Sequence, residues 1–507
     1  MAGGLMQLVA YGAQDVYLTG SPEVTFFKLV YRRHTNFSVE PIEQTFNGTC
    51  DFGKTVTCEI NRNGDLVTKM YLYLDLPAVE AGTVEWGYVR RLGHAVIDEV
   101  KIEIGGSEID EHYGDWLNLW YELTHKTGQE RGYEQMIGDV PALTRVSTEA
   151  KPAHKLYVPL QFWFNRNNGL ALPLIALQYH DVRLKLKLRP LAQVTNVEDG
   201  ARVPTVNVAD SFMLVDYIFL DAQERKKFAQ ATHEYLIEQL QFTGSETFKA
   251  STESYRLNFN HPTKCLVWAP RLGRYNSGQS FVDWAFDGDW AAAKERVAKR
   301  VWLANNSGVT SGASEDDTVQ GNAVVDADGN VLVDAQFVYH NTDADALLNN
   351  VVVLTNNLTS AHLSMTVAEW TATGAPLAGA TLTGYKVTDH MTYSTNADGT
   401  GNPVSAALLQ LNGHDRFQQR DGAYFNYVQP HQHWERTPAD GVNSYSFALN
   451  PMEHQPSGTC NFSRIDNTTL KLNLTAAQSD DSRINIYAVN YNVLRVMSGM
   501  GGLAYSN

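Results

Sequence analysis

The stretch Leu184-Lys185-Leu186-Lys187-Leu188 alternates apolar and charged residues with a period of two. On a helix of 3.6 residues per turn those leucines would scatter around the surface, whereas on a strand they share one face. The same alternation recurs at Val100-Lys101-Ile102-Glu103-Ile104 and Leu470-Lys471-Leu472-Asn473-Leu474. Met70 to Leu76 and Phe212 to Leu220 are more continuously apolar, which predicts strands buried on both sides. Asn63-Gly64-Asp65, Gly105-Gly106, Asn168-Gly169 and Asn412-Gly413 supply turns between such runs. Many short strands punctuated by turns point to sandwiches or barrels.

Helical patterns are few. Trp116 to Thr124 reads as one short helix. Ala222 to Ala231 is charged, lies between two strand-rich regions and reads as a linker with a helical turn. Trp290 to Ala304 is the best helix by pattern: Asp289 is placed to cap it, Glu295 and Lys299 pair at i,i+4, and Val297 and Val301 share a face.

The order of elements repeats. Val100 to Ile109 runs strand, glycine turn, strand, and precedes Gly114; Ala407 to Arg416 does the same and precedes Gly422. Tyr157 to Phe164, Pro173 and His180 to Leu188 are answered by Tyr445 to Leu449, Pro456 and Ile465 to Leu474. Each half closes on a long strand, Ser211 to Leu220 and Arg483 to Arg495. Units this long are not solenoid repeats and fit two copies of one β-sandwich. The copies differ between their early strands, where Pro77 to His94 is answered by Ser280 to Val404. A segment that long is normally functional or a small subdomain. It is expected to form an exposed cap on the second sandwich, with strand-like runs at Val331 to Tyr339 and Val351 to Leu354.

The 507 residues suit two large β domains, and an apolar content of 43% can fill their cores. A net charge of -16 argues against direct wrapping of nucleic acid, which needs a basic surface. No secretory leader and no apolar run of the ~20 residues a membrane span needs are visible, which predicts a soluble, cytosolically made protein. The four cysteines, Cys50, Cys58, Cys265 and Cys460, form no CxxC pair. They read as buried reduced thiols, although Cys50 and Cys58 flank a turn-like segment and face each other if it forms a hairpin.

Chemistry-bearing motifs are weak. His431-Gln432-His433 lacks a third ligand nearby and reads as a solvated loop rather than a metal site. Asp326-Ala327-Asp328-Gly329-Asn330 opens like a calcium loop but lacks its closing Glu, and Asn396-Ala397-Asp398-Gly399 is weaker still. Gly499-Met500-Gly501-Gly502 has no following helix and cannot cradle a phosphate as such loops do. No catalytic site and no cofactor are expected. Seven Asn-x-Ser/Thr triplets start at Asn36, Asn47, Asn305, Asn357, Asn461, Asn467 and Asn473; Asn305 and Asn357, in the expected cap, are the best candidates for glycosylation. A rival reading is a carbohydrate-active β-sandwich enzyme or glycan-binding module.

Several stretches closely resemble the major capsid proteins of nucleocytoplasmic large DNA viruses, in the chlorovirus and giant-virus branch. They include Gln7 to Gly20, Tyr31-Arg32-Arg33-His34-Thr35-Asn36-Phe37, Gly169 to His180, Asp216-Tyr217-Ile218-Phe219-Leu220-Asp221, His233 to Leu240, Leu257 to Pro262, Gln455 to Asn467 and Tyr491-Asn492-Val493-Leu494-Arg495. The matches follow one order along nearly the whole chain, and 280–404 is where none is found. The resemblance implies an all-β fold of two tandem eight-stranded antiparallel jelly rolls, with a few short helices and a long insertion in the second. It implies an arm at 1–26, a first roll at 27–221, a linker at 222–233 and a second roll at 234–507. It also implies a structural, non-enzymatic shell subunit: a homotrimer with a pseudo-hexagonal outline that tiles an icosahedral virion assembled in the host cytoplasm. The implied partners are its own copies and minor capsid and penton proteins, with the internal membrane reached only indirectly and no direct contact with nucleic acid. Leu8, Val9, Tyr11, Val16 and Tyr17 make residues 1–26 too apolar for a disordered tail, so an ordered arm along the inner face of the capsomer is expected.

Overall fold

The computed structural model describes residues 3–23, 29, 31–84, 86–144, 148–198, 203–273, 280–281, 318–320, 323–325, 385–386, 393–395, 401–475 and 482–505. In the first half eight strands form two sheets: β1 Phe37–Gln44, β2 Thr55–Glu59, β3 Leu66–Leu76, β4 Ile97–Ile104, β5 Ser107–Tyr113, β6 His154–Pro159, β7 Val182–Leu188 and β8 Asp210–Leu220. The sheet orders are β1-β8-β3-β6 and β2-β7-β4-β5, with every neighbour antiparallel.

The second half repeats this with β9 His233–Phe242, β10 Thr252–Arg256, β11 Pro262–Arg271, β12 Val404–Leu411, β13 His414–Asp415, β14 Asn443–Ser446, β15 Thr468–Leu474 and β16 Arg483–Met497. Its orders are β9-β16-β11-β14 and β10-β15-β12-β13. Adding eight to every strand number converts one roll into the other, so the fold is a double jelly roll. Apart from the β4–β5 and β12–β13 hairpins, sequential strands within each roll alternate between its two sheets, in the way that wraps a long hairpin into a roll.

Alternation places the cores. Along β7 Val182, Leu184, Leu186 and Leu188 are buried while Arg183, Lys185 and Lys187 are exposed. These leucines meet Leu72, Leu74, Met213 and Val215 from the opposing sheet. In the second roll Leu470 and Leu472 meet Leu266, Trp268, Ile486 and Ala488 in the same way.

Three expectations need correcting or refining. The apolar runs on β3 and β8 are buried fully on the core side and in part on the outer side: Met70, Leu72 and Leu74 are core, Tyr73 on the outer side is buried against Phe212 and Tyr157, and Tyr71, Phe212 and Leu214 stay half-buried. His431 and His433 lie in a short helix, Gln429–His433, rather than a loop; Pro430 stands in its first turn, where the fixed φ suits a helix start and the missing N–H costs least. Cys58 sits opposite Phe46, not Cys50, and both are buried free thiols that burial pushes up to about 12 and about 11.

The segment Gly3–Val9 and the segment Ala13–Thr19 are helices with no buried residue. Ala222–Gln230 is a helix capped by Asp221, whose carboxylate accepts from the Gln223 and Glu224 N–H groups at 3.1 and 2.9 Å. Of the long segment between β11 and β12, Tyr385–Lys386 pairs with Ser280–Phe281 on one side and with Thr195–Glu198 of the first half on the other. Its described backbone is therefore rooted on the first roll as well as the second. The expected helix at 290–304, the runs at 331–339 and 351–354, the 326–330 and 396–399 motifs, Asn305 and Asn357 all lie outside the described residues.

Candidate functional site: the joint between the rolls and the surfaces around it

The helix α1, Gly114–Thr124, leaves the β4–β5 hairpin of the first roll. One side of it completes that roll's core through Leu117. The other side carries Trp116, Leu119, Trp120 and Leu123 onto the outer face of the second roll, against Cys265, Val267, Ala269, Tyr487 and Val489. Trp116 lies 5.4 Å from the Tyr487 ring, and Trp120 meets Trp434 edge-on at 6.0 Å. All four helix positions are buried, so the helix is a shared core element rather than a surface contact.

Polar groups in the joint are arranged around buried carboxylates. Glu238 on β9 receives Arg166 of the first roll at 2.9 Å and Lys264 of the second at 2.7 Å, with His454 at 3.8 Å. Burial alone would raise its carboxyl, but Arg166, His454 and Lys264 outweigh it and hold the group at about 2. Asp115 on α1 pairs with Arg271 of β11 and accepts from Asn485 of β16 at 3.0 Å. Glu122 pairs with Arg91 within the first roll and accepts from the Ala439 N–H of the second at 3.3 Å. Edge strand β9 is covered as well: its Leu240 N–H donates to the Asp110 carboxylate at 3.0 Å, and Gln239 donates to the Ile109 carbonyl.

Each such carboxylate is matched by cations from the other roll or by backbone donors, which offsets the large cost of burying charge. The arrangement ties the rolls in one geometry. Sequence reasoning missed these residues because the partners lie far apart in the chain. The one available signal was charged residues inside strands: Lys264 opens the apolar run Cys265 to Ala269, and Glu238 follows Leu236 and Ile237.

Among the described residues the amino-terminal pair of helices leaves an apolar surface bare: Leu8, Val9, Tyr11, Val16 and Tyr17 are all exposed, Tyr17 at 92%. The outer face of the first roll is half-open: Phe212, stacked at 4.2 Å, and Tyr157, edge-on at 5.1 Å, are half-buried and enclose the buried Tyr73. Monomeric proteins rarely expose contiguous apolar patches, and those that do usually bind something there. Among the described residues no group of three or more His, Cys, Asp or Glu is placed to hold a metal, and no helix is long and apolar enough to cross a membrane. His433 instead faces the Leu449 carbonyl at 2.9 Å.

Two family models match the chain: "Major capsid protein N-terminus" over residues 25–221 and "Large eukaryotic DNA virus major capsid protein" over residues 224–502. The chain belongs to the major capsid proteins of large eukaryotic DNA viruses, and it is a structural component of the virion capsid. It is 43% identical to the major capsid protein of Phaeocystis pouchetii virus and 42% identical to capsid protein 1 of Acanthamoeba polyphaga mimivirus, each match covering both chains completely. Among solved structures, VP54 of PBCV-1 superposes with a TM-score of 0.65 at 37% identity, covering 95% of this chain and all of that one. The Faustovirus major capsid protein, at 11% identity and a TM-score of 0.61, shares the fold.

Proposed function

We propose that three copies of this chain form a capsomer with a pseudo-hexagonal outline, and that capsomers tile an icosahedral shell. The observation that carries the reading is the joint: two rolls of identical strand order are fixed to each other by a buried aromatic and ionic core. Three rigid pairs of like units make six nearly equivalent corners. The relatives' printed names as major capsid proteins, and a solved PBCV-1 capsid matching this chain at 37% identity and a TM-score of 0.62, support the shell role. The acidic balance supports a shell that leaves the genome to other proteins.

Residues 1–26 act in this reading as an assembly arm, 27–221 and 234–507 as the rolls, and 222–233 as the linker. The arm's exposed Leu8, Val9, Tyr11, Val16 and Tyr17 find their burial only in the assembled shell, along its inner face, where minor capsid and penton proteins also bind. Any internal membrane is met through those proteins, and assembly takes place in the host cytoplasm. The 280–404 segment, with Asn305 and Asn357 as glycan acceptors, forms the outer surface.

The test is the mass of the purified full-length protein in solution. Three times 56.4 kDa is expected. A monomer at every concentration overturns the capsomer, and particle assembly unimpaired by deletion of residues 1–25 overturns the arm.

A further inference from the structure

Around Glu238 the cations outnumber the carboxylate that holds them. A cavity of about 130 Å³ opens between equivalent connections of the two rolls, β6–β7 in the first and β14–β15 in the second. Arg166 and Asn167 line it from the first roll; Glu238, Met452 and His454 line it from the second. Lys264 reaches Glu238 from β11 and is wholly buried. Arg166 and Lys264 thus bring two positive charges to one negative charge. Both oxygens of Glu238 are engaged, one by Arg166 at 2.9 Å and the other by Lys264 at 2.7 Å.

Donors are left over. The Arg166 Nε is buried without an acceptor, and its guanidinium is pinned over the Trp120 ring at 4.5 Å. The Asn167 amide oxygen accepts from the Gly169 N–H at 2.9 Å, which leaves the NH₂ side of that amide to donate. Burial depresses the Lys264 ammonium, Glu238 pulls it up and Arg166 pushes it down again, as expected where one carboxylate serves two cations. Holding a surplus charge away from water is costly unless something of opposite sign joins it. The cavity has roughly ten times the space that one water needs, enough for a small oxyanion with waters beside it. A planar guanidinium and an amide aim N–H groups at several oxygens of one group, which suits an oxyanion better than a halide.

We infer that this cavity binds one small oxyanion of the phosphate class, with Arg166 and Asn167 as donors from the first roll and His454 at the wall from the second. The bound anion balances the charge around Glu238 and bridges the two connections, so it stabilises the pairing of the rolls within a single chain. The site stands independently of how copies of the chain assemble.

The experiment is thermal unfolding with isothermal titration calorimetry on the purified full-length protein at neutral pH. Sodium phosphate, or in a separate arm sodium chloride, replaces sodium methanesulfonate at constant ionic strength. Phosphate is expected to bind once per chain and, at tenfold above its Kd, to raise the melting temperature by roughly 2–4 °C, with chloride doing less. Asn167→Asp keeps the acceptor for the Gly169 N–H and puts a carboxylate where the amide donor stood. This variant is expected to lose the phosphate response and, in methanesulfonate, to melt at or above the wild-type temperature, because it supplies the missing negative charge itself. Met452→Glu brings a carboxylate in from the second roll and repeats the test should Asn167→Asp fail to fold. No phosphate response in the wild type, a response to chloride alone, or an undiminished phosphate response in the carboxylate variants overturns the site.

Discussion

Gly114 and Gly422 occupy the same place in the two rolls, each pressed against the backbone of its own roll. A methyl group on Gly114 would overlap the carbonyl oxygens of His94 and Ile97, and one on Gly422 would overlap that of Val404. Neither glycine has a positive φ, so the demand is for space rather than for a left-handed conformation. Backbone cannot swing aside as a side chain does. Gly114→Ala and Gly422→Ala are each expected to cost about 3 kcal/mol, read as a lowered denaturation midpoint or loss of soluble protein. Gly3→Ala, with open space around it, is the control expected to change nothing.

Glu238 is the carboxylate on which two buried cations depend. Glu238→Gln keeps the shape and leaves Arg166 and Lys264 without their counter-charge inside the joint. Breaking a buried ion pair by removing one partner typically costs about 3–5 kcal/mol, and that loss is expected in chemical denaturation. Adding Lys264→Met to Glu238→Gln is expected to recover part of it, since one of the stranded charges is then gone. A double variant no more stable than the single one counts against the pairing.

Stability is expected to fall with acid in two steps. Burial, together with the positive charge of Arg91, holds His94 down at about 3, against an ordinary 6.5. Below about 6.5 the unfolded chain takes up a proton that the folded chain refuses, so stability declines as pH drops from 6.5 toward 3, by roughly 1.4 kcal/mol per pH unit for one such group. His125, lowered chiefly by burial, acts in the same direction. Glu238 enters later: its ion pairs stabilise fully above about 4.5 and are lost as pH falls from there toward 2. Denaturant midpoints between pH 7 and 4.5 measure the first step, and His94→Gln is expected to flatten it. An unchanged slope in that variant would assign the acid sensitivity elsewhere.

The strands were legible in the sequence because alternation is a local signal. The repeat of Val100–Ile109 in Ala407–Arg416 also appears in space, as the β4–β5 and β12–β13 hairpins. What covers a strand's outer face was not legible. Cys265-Leu266-Val267-Trp268-Ala269 and Met70-Tyr71-Leu72-Tyr73-Leu74 read alike, yet a helix from the other roll covers the first, while the second packs its outer Tyr73 against Phe212 and Tyr157 of its own sheet. Coverage depends on where a distant segment goes, and no periodicity encodes that. The same limit hid Glu238, whose partners come from both rolls. The apolar residues near the amino terminus, expected to form an ordered arm along the inner face of the capsomer, are helical and exposed in the single chain, since apolar composition says that a segment wants a partner without saying that the partner belongs to the same chain.

The last strand of the second roll, β17 Met500–Leu503, reaches back to the first. The Tyr179 N–H donates to the Gly499 carbonyl at 2.9 Å, and the Gly501 N–H donates to His180 Nδ1 at 3.2 Å. Gly501 permits the approach: a Cβ there would stand 2.6 Å from Leu177 Cδ2 and 3.2 Å from Ile104 Cγ2. Gly501→Val places a branched side chain in that gap and is expected to push β17 off the turn at 177–180, at a cost of roughly 1–3 kcal/mol. The larger aromatic joint at α1 is untouched by this change, so the rolls should stay together while the tail frays. Limited proteolysis is therefore expected to remove the carboxy-terminal residues of the variant first, with the rest of the chain resistant. Early cleavage at the 222–233 linker instead would mean that the tail, and not the α1 joint, holds the rolls in register.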